Sequence, residues 1–239
     1  MRANIQGGLK QIIILLILIL SLSAWKADIK GPWIITKSKR IILYTRPLNY
    51  SQSTSPDSAS IQAIINEQEL VIDFINERLN THFDSKVKIF LYNTDEAQEK
   101  IGTNGGGFAS LNKFKKHIYL TFHLEPYYNS VMNKTDYLGV HEMVHIITLS
   151  ELGNIKTRFF GEGYSNALDG NYGTENKNGI LTRQRIDSTL VRIKKHGKLL
   201  KPSDLLYNDS IPEYAYYPQI GCLIRWMLDT YGVDKINKF

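Results

Sequence analysis

Residues 135–153 read TDYLGVHEMVHIITLSELG, and the rest of the chain is arranged around this stretch. Leu138, Val144 and Ile147 mark one apolar face of a helix, Thr135 or Asp136 caps its start, and Gly153 stops it after Glu151. Within it stand His141-Glu142-Met143-Val144-His145. Two residues four apart on an α-helix lie about 40° apart around the axis and one turn along it, so both imidazoles reach one ion. Glu142, beside them, reaches a water on that ion. With 6 histidines in 239 residues, a chance match to this HExxH pattern is expected at a level below about 1%. The competing reading is a histidine pair packed without metal, each ring then needing its own hydrogen-bond partner.

Outward from that helix, the N-terminal side reads as strands and the C-terminal side as helices. Residues 34–46 are β-branched and aromatic, one or two strands closed by Pro47. Ile61, Ile64, Ile65, Ile72, Ile75 and Leu79 form a helical stripe ending near Asn80. Residues 86–92 alternate Val87, Ile89 and Leu91 against Lys86, Lys88 and Phe90, which is a strand. A short helix over 95–101, a glycine turn over 102–107 and a hairpin from 108–110 and 117–122 follow. Residues 159–169, 180–198 and 219–231 read as further helices. Strands first and helices later make an α+β pattern.

Composition narrows the function. At 43% hydrophobic, 22% charged and 11% aromatic, 239 residues suit one large folded domain, not a disordered or collagenous chain. The net charge of +6 includes Arg2 and Lys10 in an acid-free leader, and no concentrated basic stripe marks a nucleic-acid binder. Cys222 is the only cysteine, which excludes a disulfide framework, a cysteine zinc site and an iron–sulfur cluster. Any metal chemistry therefore falls to histidine and carboxylate.

Residues 1–23 combine a positive start, the aliphatic run from Ile12 to Leu20 and the small-residue site Ser21-Leu22-Ser23, the signature of a signal peptide. The alternative is an uncleaved membrane anchor, since residues 9–25 approach the lower limit of about 17 for a span. Either way residues 24–239 form the working domain, outside the cytoplasm, secreted or tethered to a membrane. Gly105, Gly106 and Gly107 lack the rest of a phosphate loop and read as a turn. The basic stretch 183–201 reads as an amphipathic helix with a solvated face, or else as a contact for a membrane surface or anionic wall.

Catalytic zinc uses three protein ligands and leaves a fourth position open. His196, the only histidine after His145, is too far along the chain to complete the set. Glu151 lies past the metal on the same helix and points elsewhere. Glu162, in Phe159-Phe160-Gly161-Glu162-Gly163-Tyr164-Ser165-Asn166, follows His145 by 17 residues, enough for a turn and an antiparallel return. Asn166, one turn further on, faces the same site and accepts from the other ring nitrogen of His141. The ordinary alternative for Glu162 is a helix-start carboxylate favoured by the helix dipole.

Taken together, these residues resemble the gluzincin metallopeptidases, specifically the short bacterial peptidase-MA-like proteins, over most of residues 34–239. The family's HExxH matches His141, Glu142 and His145, and its E-G-x-[AS] matches Glu162-Gly163-Tyr164-Ser165. Gly197-Lys198-Leu199 with Ser203-Asp204-Leu205-Leu206, and the aromatic-led helix from Tyr217 to Gly232, match its C-terminal segments. The resemblance implies a thermolysin-like zincin domain, with a mixed N-terminal sheet, an active-site helix and a mostly helical C-terminal part. It implies Zn²⁺ on His141, His145 and Glu162, with Glu142 as general base for peptide-bond hydrolysis. It also implies an oxyanion donor, for which Tyr217 is the first choice and Tyr216 the second. The expected partner is a peptide or protein substrate held along the strand at 108–110 or 117–121, with no nucleic acid. The alternative is a catalytically inactive homologue serving as a binding module at the cell envelope.

Overall fold

A computed structural model describes residues 33–45, 58–93, 107–112, 115–122, 139–153, 155, 157–175, 181–208 and 210–238. Strands β1 (Ile34–Lys37), β2 (Ile41–Thr45), β3 (Val87–Asn93), β4 (Gly107–Asn112) and β5 (Lys115–Phe122) build a five-stranded sheet. Their order is β1-β2-β3-β5-β4; the three central strands are parallel and both outer ones antiparallel to their neighbours. Helix α1 (Ser58–Leu79) is part of the crossover that parallel β2 and β3 require.

The alternation in the sequence sets which sheet face α1 covers. Ile41, Leu43, Val87, Ile89 and Ile118 are fully buried, and all six residues of the α1 stripe are buried with them. Each such side chain contributes about 1.5–3 kcal/mol relative to exposure. On alternate positions Tyr44, Phe90 and Tyr119 stack across β2, β3 and β5, with ring centroids 4.4 and 5.2 Å apart. Buried Arg40 ties the β1–β2 turn to α1 through ion pairs of 2.7 Å to Glu69 and 2.6 Å to Asp73.

The C-terminal half carries α2 (Val140–Glu151), α3 (Arg158–Asp169), a hairpin of β6 (Asn171–Glu175) and β7 (Leu181–Arg185), α4 (Ile186–Lys195), α5 (Pro202–Tyr207), α6 (Glu213–Tyr231) and α7 (Val233–Ile236). The α+β class expected from the sequence therefore holds. Three local expectations change. Helix α2 begins at Val140, with Gly139 before it in a left-handed conformation at φ 69° that a helix does not continue through. The expected caps Thr135 and Asp136 lie outside the described residues. The single helix expected over 180–198 is instead β7 followed by α4, because residues 181–185 pair with β6 and the ladder overrides local propensity. Helix α6 starts at Glu213, six residues early, with Pro218 inside it; the missing N–H removes one helical bond near the helix start, which the packing of α6 tolerates. The leader, the helix at 95–101 and most of the glycine turn lie outside the described residues. Among those residues, no helix is long and apolar enough to cross a membrane.

Glycines let α3 and α6 approach closely. A Cβ on Gly163 would stand 2.6 Å from Ile224 Cγ1, and one on Gly221 would stand 2.8 Å from Asn166 Cβ. Helix α3 is thereby clamped between α6 and α2, and Glu162, the residue before Gly163, is held against the α2 histidines.

Candidate metal centre

His141, Glu142 and His145 project from α2, and Glu162 from the second turn of α3, whose N-cap Thr157 accepts a hydrogen bond from the Phe160 N–H. The Nε2 atoms of His141 and His145 lie 3.2 Å apart; Glu162 places Oε2 3.2 Å from the first and Oε1 3.6 Å from the second. Ligands at about 2.1 Å from one tetrahedral ion are about 3.4 Å from each other. The three side chains are thus spaced as ligands of a common cation. They retain 22%, 18% and 23% exposure, which leaves an open side. Glu162 Oε2 is also buried and faces His141 Nε2 at 3.2 Å, so this carboxylate oxygen needs either a protonated imidazole or a cation beside it. This group can hold a metal ion.

Electrostatics point the same way. Burial alone would lower the His141 pKa, but the hydrogen bond to Glu162 and the charges of Glu142, Glu162 and Asp169 raise it to about 9. Burial and the His141 charge push His145 down to about 4, against the pull of Glu162. Burial works to raise Glu162, yet His141, His145 and Arg158 hold it below the usual carboxylate range. One proton on His141 therefore stands where a cation would neutralise the carboxylate. Burial raises Glu142, as the charge of Glu162 also does, while His141 and a hydrogen bond from the Ala109 N–H oppose it.

Around the ligands, the expected residues divide. Asn166 does not serve His141: its Nδ2 donates to the Glu162 carbonyl at 2.8 Å, and its buried Oδ1 has no partner. The i+4 position folds the amide back along its own helix. Ser165, which the spacing argument passed over, stands 3.2 Å from His145 Nδ1 and accepts its proton when Nε2 faces a metal. Its i+3 offset from Glu162 was the available signal.

The two tyrosines also separate. Tyr216 is fully buried and donates its hydroxyl to the Leu205 carbonyl at 2.8 Å, so it is not free to serve the site. Tyr217 sits with its ring centroid 6.2 Å from that of His141 and donates to Glu213 Oε1 at 3.2 Å. Burial and the charges of Glu162 and Glu213 raise its pKa, keeping it protonated. Arg158 lies over both rings, 4.4 Å from the Tyr216 centroid and 5.6 Å from that of Tyr217, a contact the sequence did not reveal.

Of the two strands expected to hold a substrate, β5 is enclosed between β3 and β4, so 117–121 has no open edge. Strand β4 is an outer strand of the sheet among the described residues, and Ala109 within it already reaches Glu142. The chain matches no protein-family model, and no curated protein aligns with it significantly.

Proposed function

We propose that this chain is an exported zinc-dependent peptidase of the gluzincin type, with His141, His145 and Glu162 as ligands and a thermolysin-like arrangement of sheet edge and active-site helix. The observation that carries the reading is the 3.2, 3.2 and 3.6 Å spacing of the ligand atoms, with Glu142 beside them. Nitrogen and carboxylate donors in a three-ligand set suit zinc in a catalytic site. Zinc bound there supplies a Lewis acid that polarises a scissile carbonyl and makes a coordinated water acidic.

The protein's own groups do the rest. Glu142, its pKa lifted by burial and its carboxylate steadied by Ala109, takes a proton from the attacking water and returns it to the leaving amine. Strand β4, an outer strand among the described residues, pairs with an extended peptide. Tyr217, kept protonated, turns its hydroxyl from Glu213 towards the developing oxyanion. Ser165 fixes the ring of His145.

The ligand set is tested by equilibrium zinc binding. Glu162→Ala removes one of three ligands and should weaken zinc sharply, while Glu151→Ala, on exposed surface, should bind as the wild type does. Equal retention in both variants refutes Glu162 as the third ligand.

A further inference from the structure

Away from the metal centre, the end of α4 and the loop into α5 form a surface that the proposed reaction does not use. From Val191 to Lys201 the chain reads Val-Arg-Ile-Lys-Lys-His-Gly-Lys-Leu-Leu-Lys, with five Lys or Arg and no carboxylate. Lys194, Lys195, Lys198 and Lys201 are all exposed, and none is ion-paired to a described residue. Two apolar side chains stand among them: Val191 is 68% exposed and Leu199 49%. The inward faces of Ile186 and Thr189 fix the roll of α4, and at about 100° per residue this turns Val191 and Lys195 outward together.

The backbone beneath is firmly held. Gly197 and Lys198 close the helix end onto the Lys194 and Ile193 carbonyls at 3.0 and 3.1 Å. Leu200 then donates its N–H to Gln219 Oε1 on α6 at 2.8 Å. The lysines thus project from a scaffold pinned at both ends.

We propose that this surface docks on a bilayer of anionic phospholipid, with the lysines at the phosphates and Val191 and Leu199 in the acyl boundary. Cations alone would suit any polyanion; exposed aliphatic side chains set among them suit a charged surface over hydrocarbon. The inference is independent of the metal site and of its chemistry.

The test is flotation of the full chain with phosphatidylcholine vesicles, with and without phosphatidylglycerol. The ratio of binding to the two vesicle types is read, because the apolar leader is common to every variant. Wild type should show a ratio of about tenfold or more at low salt, collapsing in high sodium chloride. Changing Lys194, Lys195, Lys198 and Lys201 together to glutamine should bring the ratio close to one. Changing exposed Lys37, Lys39, Lys235 and Lys238 to glutamine removes as many charges and should leave it nearly intact. V191S with L199S should weaken anionic-vesicle binding several-fold at unchanged charge. A wild-type ratio near one, or equal losses in the two lysine variants, overturns the proposal. So does a wild type that ignores anionic vesicles while retaining duplex DNA through the same four lysines.

Discussion

Adding zinc to the metal-free protein at pH 7 is expected to release about one proton per ion bound, because a histidine ligates only when neutral. The count follows from the two imidazoles. His141, held up to about 9, is almost fully protonated at neutral pH, whereas His145, pushed down to about 4, is already neutral. Titration calorimetry in two buffers of different ionisation enthalpy reads the number directly. The same argument fixes the pH slope: between pH 7 and pH 8 the apparent affinity should tighten about tenfold, and it should level off as the pH passes about 9. Zinc binding with no proton released at pH 7, or with equal affinity at pH 7 and pH 8, would refute the reasoning, since His141 then is either not a ligand or not the proton carrier.

Stability should separate the metal-free from the loaded protein. His141 is raised above its usual 6.5, so its contribution to the metal-free fold is complete below that pH and is lost as the pH rises through about 9. His145 is depressed, so its contribution is present above 6.5 and is lost as the pH falls through about 4. From pH 6.5 to 9 the chelated protein should therefore show a falling Tm and the zinc-loaded protein none; parallel curves would contradict this. Ser165→Ala should weaken zinc by about 10–100-fold without altering far-UV circular dichroism, as partners of ligating histidines generally do, and unchanged affinity would remove Ser165 from the site. Gly163→Ala places a Cβ 2.6 Å from Ile224 Cγ1 and should destabilise by about 1–3 kcal/mol in denaturant unfolding; the same change made in an I224A background should cost clearly less, and an equal cost in both backgrounds would refute the clash. Tyr217→Phe should cut peptide turnover by about 100-fold or more with zinc content intact, and a change under about threefold would leave the oxyanion without a tyrosine donor.

Much of the fold was legible because it rests on periodicity. The stripe from Ile61 to Leu79 and the alternation of Val87, Ile89 and Leu91 had one interpretation each, and both turn inward as expected. The β6–β7 hairpin was hidden because Leu181–Arg185 has no alternating apolar signal and is a strand only by pairing with Asn171–Glu175. Helix α6 was misplaced because a proline before an apolar run looks like a helix start, whereas Pro218 lies inside the helix. At the metal centre, His141 and His145 were fixed by helical geometry alone, and Glu162 by the length of the return. What lay around them depended on rotamers and on contacts between helices. Asn166 and Ser165 differ by one position on α3, and only the packed structure shows that the serine meets His145.

The central claim is tested most directly by measuring zinc content and hydrolysis of a mixed peptide library side by side, for wild type and Glu142→Gln. Wild type should hold one zinc per chain and cleave peptides, while Glu142→Gln should hold the same zinc and lose nearly all cleavage, because Glu142 moves the proton without ligating. Wild type without zinc, wild type with zinc that cleaves nothing, or a Glu142→Gln variant as active as wild type would each contradict it.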